Sequence, residues 1–437
     1  MVKRQEKAWK LEQYGESVKG NHLGKLNKTK QLSPVPSTSK RVDWSLQCQA
    51  VAHWLGGFRP KTVLNGLFDN KVTAVEWHPT KPNLVAVGTK NGQLLLIDVN
   101  ARPRPEDWTN GIGPGNYLAS VRFDPCNSNV VYSAGMSGDV LRTDFNTGQA
   151  ETLLSIRIPQ VYKQWWTSAD VSSYHNMVIA GDNRGWTTAI SADGAEQLWK
   201  LRLNPAKIHH LEFSRREPWL FASASNDHGG AVRLWDVRCI HDEIGQRGTP
   251  RPLISLPHDC AVNVATFSRT GSNKLLTSDQ KDECRVYQGP SWHHLATYRH
   301  PHRQFQHLIH IRASWHPLVD ACVIGRYPAE RGHPPAQRTV DIFDGTTGTE
   351  LVRLRRSGGG GNARIVSIAK FNATGEILAT AESSTVRLWY SDVAERAASK
   401  EKCLSSDAGS CANSDSDNDE SGSGDRIMRV KKWRIFP

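Results

Sequence analysis

The segment HPHRQFQHLIH, residues 300–310, gathers four histidines, Arg303 and one aromatic ring, Phe305, which is followed at once by Gln306 and His307. Two chemistries are available to such a set. His300 and His302 are spaced i, i+2 and would share one side of an extended strand, where imidazoles can bind metal. Zinc, however, needs four converging ligands, and no cysteine motif accompanies these histidines. The other chemistry is mechanical. An apolar side chain beside basic and polar groups is the composition with which proteins unstack a base step from the minor groove. Phe305 would then be a wedge, and Gln306 and His307 would fill the gap left by an extruded base pair. Taken by itself, a loop whose ring folds back onto its scaffold is the simpler arrangement, so the placement of the segment decides the matter.

Elsewhere the chain is sparing with reactive groups. It contains no GxSxG, no P-loop and no HExxH. GIGPG at 111–115 opens no helix and reads as a tight turn. The eight cysteines are scattered without a CxxC pair, which suits a reducing compartment and argues against a zinc or disulfide framework. A binding protein is therefore expected, with no enzymatic activity, no cofactor and no metal. No run of about 18 apolar residues is present, so no membrane span is expected. The start, MVKRQEKAWK, lacks the apolar core of a secretion signal. The formal net charge of +12 points either to a polyanionic partner or to a solvated basic surface.

The scaffold is written as a repeat. Alternating strand, turn, small-residue strand, Gly or Asp turn and apolar strand recur in VTAVEWHP…VAVGTKNGQLLLIDV, LASVRFDP…VYSAGMSGDVLRTDF, WTSADVSS…VIAGDNRGWTTAI, IHHLEFSR…FASASNDHGGAVRLWDVR, AVNVATFS…LLTSDQKDECRVY, IRASWHPL…CVIGRYP…TVDIFD and IVSIAKFN…LATAESSTVRLWY. Their starts lie 42 to 54 residues apart, near the WD-repeat period. Such units cannot cover their own faces and bury them by stacking around an axis. The expectation is an all-β fold, a seven-bladed WD-repeat β-propeller over 68–393. Residues 1–44 read as a basic, largely disordered tail. Residues 45–67 read as a short helical segment, with Leu46, Val51, Trp54 and Leu55 as its apolar stripe and Gly56-Gly57 as its stop, docked on the propeller or on a partner. Residues 394–437 read as a disordered acidic, Ser-rich tail with a basic end. The histidine-rich segment then falls between the fifth and sixth blades, in a connection that emerges on a propeller face.

Several of these stretches are specific. HPHRQFQHL, followed by WHPLVDACVIGRYP and RTVDIFDG, resembles the damage-specific DNA-binding protein 2 family, the small WD-repeat subunits of the UV-damaged-DNA-binding complex. WHPTKPNLVAVGTKNG, MVIAGDNRG, LWDVR, LPHDCAVNVATFS, LLTSDQKDECRVY and GEILAT are similar to the same family in the same order, so the resemblance covers roughly 68–392. It implies a nuclear protein that binds duplex DNA at UV photolesions to start nucleotide excision repair. Phe305, Gln306 and His307 are implied as the inserted lesion wedge. Lys71, Lys90, Lys207, Arg303 and Arg338 are implied as DNA-backbone contacts, with Trp165 and Trp199 at the lesion pocket. Discrimination would come from deformability, because a damaged step is already poorly stacked. Lys207 follows Asn204-Pro205-Ala206 where the family carries a run of lysines.

The resemblance also implies a ubiquitin-ligase role. Asp236 and Arg238 of LWDVR match the motif through which such receptors engage the large damage-binding subunit and, through it, a cullin-4 RING ligase. An internal role is open as well, since the Asp of a WD unit often caps its own blade turn. Residues 1–60 do not visibly match the family's N-terminal helical segment. Histones or other chromatin components are further expected partners. The alternatives are a cullin-4 receptor for protein degrons without lesion recognition and a chromatin-associated WD scaffold. Neither needs Phe-Gln-His beside basic flanks.

Overall fold

The computed structural model describes residues 38–68, 70–100, 117–156, 163–194, 196–227, 230–240, 250–302, 309–327, 338–355 and 364–392, with side chains from 47 onward except at 338 and 339. Seven antiparallel sheets follow one another around an axis as the seven blades of a β-propeller. The first strands of the blades are the inner ones and approach each other: Val72–Trp77, Leu118–Phe123, Trp166–Ser172, Ile208–Phe213, Val262–Phe267, Ser314–Trp315 and Val366–Phe371. These strands are buried on both sides, which explains why they read as nearly continuous small and β-branched runs.

Tryptophans hold blades internally and to one another. Trp235 and Trp389 are fully buried, and each indole N–H donates to a hydroxyl on the neighbouring strand, Ser223 at 2.9 Å and Thr380 at 3.0 Å. Trp315 donates to the Thr266 carbonyl, joining blade 6 to blade 5. Trp77 donates to the Lys370 carbonyl, joining blade 1 to blade 7.

The N-terminal boundary differs from the sequence expectation. The helix runs Thr38–Gly56, so it begins inside the segment assigned to the tail and ends at Gly56. The rest of the expected helical segment contains a strand, Arg59–Leu64, which pairs antiparallel with Thr385–Tyr390 and is the outer strand of blade 7. The ring is thus closed by the two ends of the repeat region. Leu55 and Phe58 are buried beside Phe371 and Trp389, and Trp54 sits edge-on to His316 at 5.0 Å. Residues 47–56 therefore dock on blades 6 and 7.

Candidate nucleic-acid interface

An antiparallel meander has two faces with different connections. The link into each first strand and the turn between second and third strands emerge on one face. The opposite face carries the turn between first and second strands and the link between third and fourth. On the first face, backbone bonds tie each entry link to the turn of its own blade. Lys90 N–H donates to the Lys71 carbonyl at 2.8 Å, Asn183 to Trp165 at 3.1 Å and Asn226 to Lys207 at 2.9 Å. Lys71, Trp165 and Lys207 thus hold the same structural position in blades 1, 3 and 4. Neighbouring blades close on this face as well. A Cβ on Gly185, whose φ is +89°, would lie 2.0 Å from the Asn204 carbonyl oxygen, and one on Gly230 (φ +72°) 1.8 Å from that of Cys260. Only glycine fits where the next entry link passes.

Among the described residues, no carboxylate makes an ion pair with Lys71, Lys90 or Lys207. Lys207 is half-buried, and burial, with Arg312 nearby, lowers its pKa. Beside it, the rings of His209 and His310 meet edge-on at 4.8 Å. His209 is held well below the usual histidine range, first by burial and then by His310, Lys207 and Arg312. The histidine is therefore neutral, and the cation Lys207 is crowded by the like charge of Arg312, which an arriving anion relieves.

Phe305, Gln306, His307 and Arg303 lie outside the described residues, but the two feet of their segment do not. His300 and His302 are 1% and 0% exposed, which corrects the reading of 300–310 as surface loop throughout. His300 N–H donates to the Asp282 carbonyl at 2.9 Å, and its Nε2 lies 3.1 Å from Asp341 Oδ2. The His302 amide donates to Asp282 Oδ1, its Nδ1 lies 2.7 Å from the His300 carbonyl oxygen and its Nε2 3.0 Å from that of Asp279. Burial lowers the pKa of His302 to about 4, so it stands neutral at pH 7. A neutral imidazole carries one N–H, so His302 donates to only one of these two carbonyl oxygens at a time. The fully buried Asn263 donates to the Ile311 carbonyl at 3.3 Å beyond the segment and, at 3.1 Å, to the Asp279 carbonyl that His302 Nε2 also approaches. Asp341, 1% exposed, also receives Arg326 at 2.8 Å. Asn263, Asp279, Asp282 and Asp341 escaped the sequence reading because each belongs to a strand or turn remote from the segment it holds.

The remaining sites separate. Arg338 opens the strand Arg338–Asp344 on the same face, where it pairs with Arg355, and its side chain is outside the described set. Trp165 is half-buried on that face. Trp199 is not. It is 4% exposed on the outer strand of blade 3 and packs with Leu211, Phe221 and Trp235, so it is a core residue and not part of an open pocket. Its aromatic type suits both roles, and only the strand's outer position distinguishes them.

Asp236 ends the third strand of blade 4 and Arg238 lies in the helical turn just after it, so both emerge on the opposite face. Asp236 is 7% exposed and accepts the Arg238 amide at 2.9 Å, its Nε at 3.0 Å and its Nη2 at 2.7 Å. The guanidinium also lies 4.6 Å over the Trp219 ring. Its side chain is nevertheless 60% exposed, so it is fixed in place and presented.

No protein-family model matches the chain. It is 40% identical over 334 residues to DNA damage-binding protein 2 of Gallus gallus, a match covering 74% of this chain and 62% of that protein. Against DNA damage-binding protein 2 of Danio rerio the identity is 36%, again over 74% of this chain and 62% of the relative. Against that of Bos taurus it is 37%, over 74% and 72%. The chain thus spans less than two-thirds of the length of the chicken and zebrafish relatives.

Proposed function

Because the chain belongs to the DNA damage-binding protein 2 family, we propose that it recognises UV photolesions in duplex DNA and starts nucleotide excision repair in the nucleus. The observation that carries this reading is the shared face. Lys71, Lys90, Lys207 and both buried feet of the 303–308 segment emerge together. The lysines neutralise phosphates and give salt-dependent, sequence-independent affinity. Phe305 wedges into the stack, and Gln306 and His307 replace lost pairing partners. Unstacking an intact step costs a few kcal/mol, so insertion is favoured where a lesion has already weakened the stack. The anchored feet reduce the ordering cost of insertion. Arg303 and Arg338 steady flanking phosphates.

The protein acts as a receptor and not as an enzyme. Arg238, fixed by Asp236 and Trp219 on the opposite face, anchors the large subunit of the damage-binding complex and through it a cullin-4 ubiquitin ligase, so DNA and adaptor are held on different faces. Competition binding of purified protein to matched duplexes with and without one defined photolesion tests the reading. The lesion duplex should compete more strongly at every salt concentration. Equal competition would favour a chromatin scaffold that holds any duplex.

A further inference from the structure

The propeller's central channel encloses a cavity of about 290 Å³ whose charges do not balance. Its lining holds Glu76 and Glu212 against Arg122, Arg215, Arg269, Arg312 and Lys370. The carboxylates are already committed. Glu76 receives Lys370, Arg122 at 3.4 Å and Arg269 at 3.8 Å. Burial opposes ionisation of Glu76, yet these cations hold its pKa at about 2. Asp170, next to the lining, receives Arg122 at 3.0 Å and the Phe213 amide at 2.7 Å. Glu212 accepts the Thr266 hydroxyl and the Phe267 amide. Arg122 is thereby paired twice and Lys370 once.

Arg312 has no carboxylate within ion-pair distance among the described residues and lies beside Lys207; Arg215 and Arg269 are left over as well. They follow the inner strands of blades 4 and 5 and emerge at the channel mouth on the face opposite the lysines. Among the described residues no carboxylate reaches Arg215 within ion-pair distance, and Arg269 has only the long contact to a carboxylate already shared. Both residues are exposed at the mouth, and the largest electrostatic influence on Arg215 is Arg269, a like charge, against which Glu76, Glu212 and Asp170 act. Two guanidiniums that repel each other over a cavity walled by further cations lack an anion. Arginine forks match phosphate oxygens in pairs, and the surplus exceeds one charge, which favours a multivalent anion over a single carboxylate.

We propose that this mouth of the channel binds a compact multivalent phosphate, free or as a small phosphate ester, between Arg215 and Arg269 with Lys370 below. The site is separate from the proposed DNA face, at the other end of the axis.

The probe is inorganic tripolyphosphate, read by calorimetric titration and by Tm at ionic strength matched with NaCl. Binding by wild type should exceed the NaCl control. Arg215→Gln with Arg269→Gln should weaken it at least about tenfold. The Arg215→Lys, Arg269→Lys pair should retain part of it, which separates loss of charge from loss of fold. Lys200→Gln, on the outer strand of blade 3, should change nothing. The proposal is overturned if NaCl reproduces the effect or if the Gln pair binds as tightly as wild type. It is also overturned if an intact duplex displaces tripolyphosphate, because the anion would then sit on the lysine face.

Discussion

Lys71, Lys90 and Lys207 on one face and Arg238 on the other are all cations at strand connections, but their surroundings differ. The lysines have no acidic partner among the described residues, and Lys207 is crowded by Arg312. Arg238 is gripped by a buried carboxylate and laid on an indole. A polyanion binds through many small, adjustable contacts and releases counterions, so unpaired, mobile ammonium groups suit it. A protein partner is anchored by a few fixed side chains, and a guanidinium held in one geometry loses little freedom on binding. The feet of the 303–308 segment belong to the second type even though they stand on the first face. On the proposed reading, these fixed feet aim the residues they hold.

The contrast can be broken in four places. The largest effect is expected at the feet. Asp341→Ala leaves Arg326 and His300 without their shared carboxylate. The cost should be about 2–3 kcal/mol, below that of a fully buried pair because Arg326 keeps some solvent. Denaturant unfolding measures it, and lesion preference should fall with it. A neutral effect on both would show that the feet are not the aiming device.

Acid sharpens the same point. His302, His78, His258 and His316 all have pKa values lowered to about 4, chiefly by burial. The unfolded chain binds protons near pH 6.5, before the folded one does, so stability is full above that pH and is lost as pH falls towards 4. Tm should therefore drop between pH 7 and pH 5, and His302→Gln should flatten that dependence. A Tm independent of pH across this window would contradict the buried, neutral assignment.

The lysines should behave in the opposite manner. Lys90→Glu or Lys207→Glu should weaken damaged and intact duplex alike and reduce the slope of log affinity against log salt by about one unit per lost phosphate contact. Tm should barely change. An unchanged slope would remove these lysines from the interface. The smallest effect on the isolated protein is expected for Arg238→Ala. Folding and lesion affinity stay as they were, while co-purification with the large damage-binding subunit declines. Unfolding of this variant would make Arg238 a blade residue.

The sequence pattern shows why some of this could be read in advance and some could not. The seven blades announce themselves because each unit repeats its own strand–turn chemistry locally, and LWDVR and LWY mark strand ends directly. The closing strand Arg59–Leu64 does not, since RPKTVL has almost no buried face of its own and is recognisable only when paired with Thr385–Tyr390, some 320 residues away. His300 and His302 look like surface residues by type, and their burial is created by Asp279, Asp282 and Asp341 from other strands and turns. Trp199 looks like a pocket aromatic until its outer-strand position is known. Local periodicity was legible, and contacts across blades were not.

The most direct test of the account is the ratio of lesion to intact-duplex affinity at one fixed salt concentration, measured for wild type and for the variant carrying Phe305→Ala, Gln306→Ala and His307→Ala. The account predicts a ratio well above one for wild type. In the variant it should collapse to about one, while weak, salt-sensitive binding to any duplex remains and the propeller stays folded. A variant that keeps the wild-type ratio would contradict it, and the segment between the two buried feet would then not be the sensor.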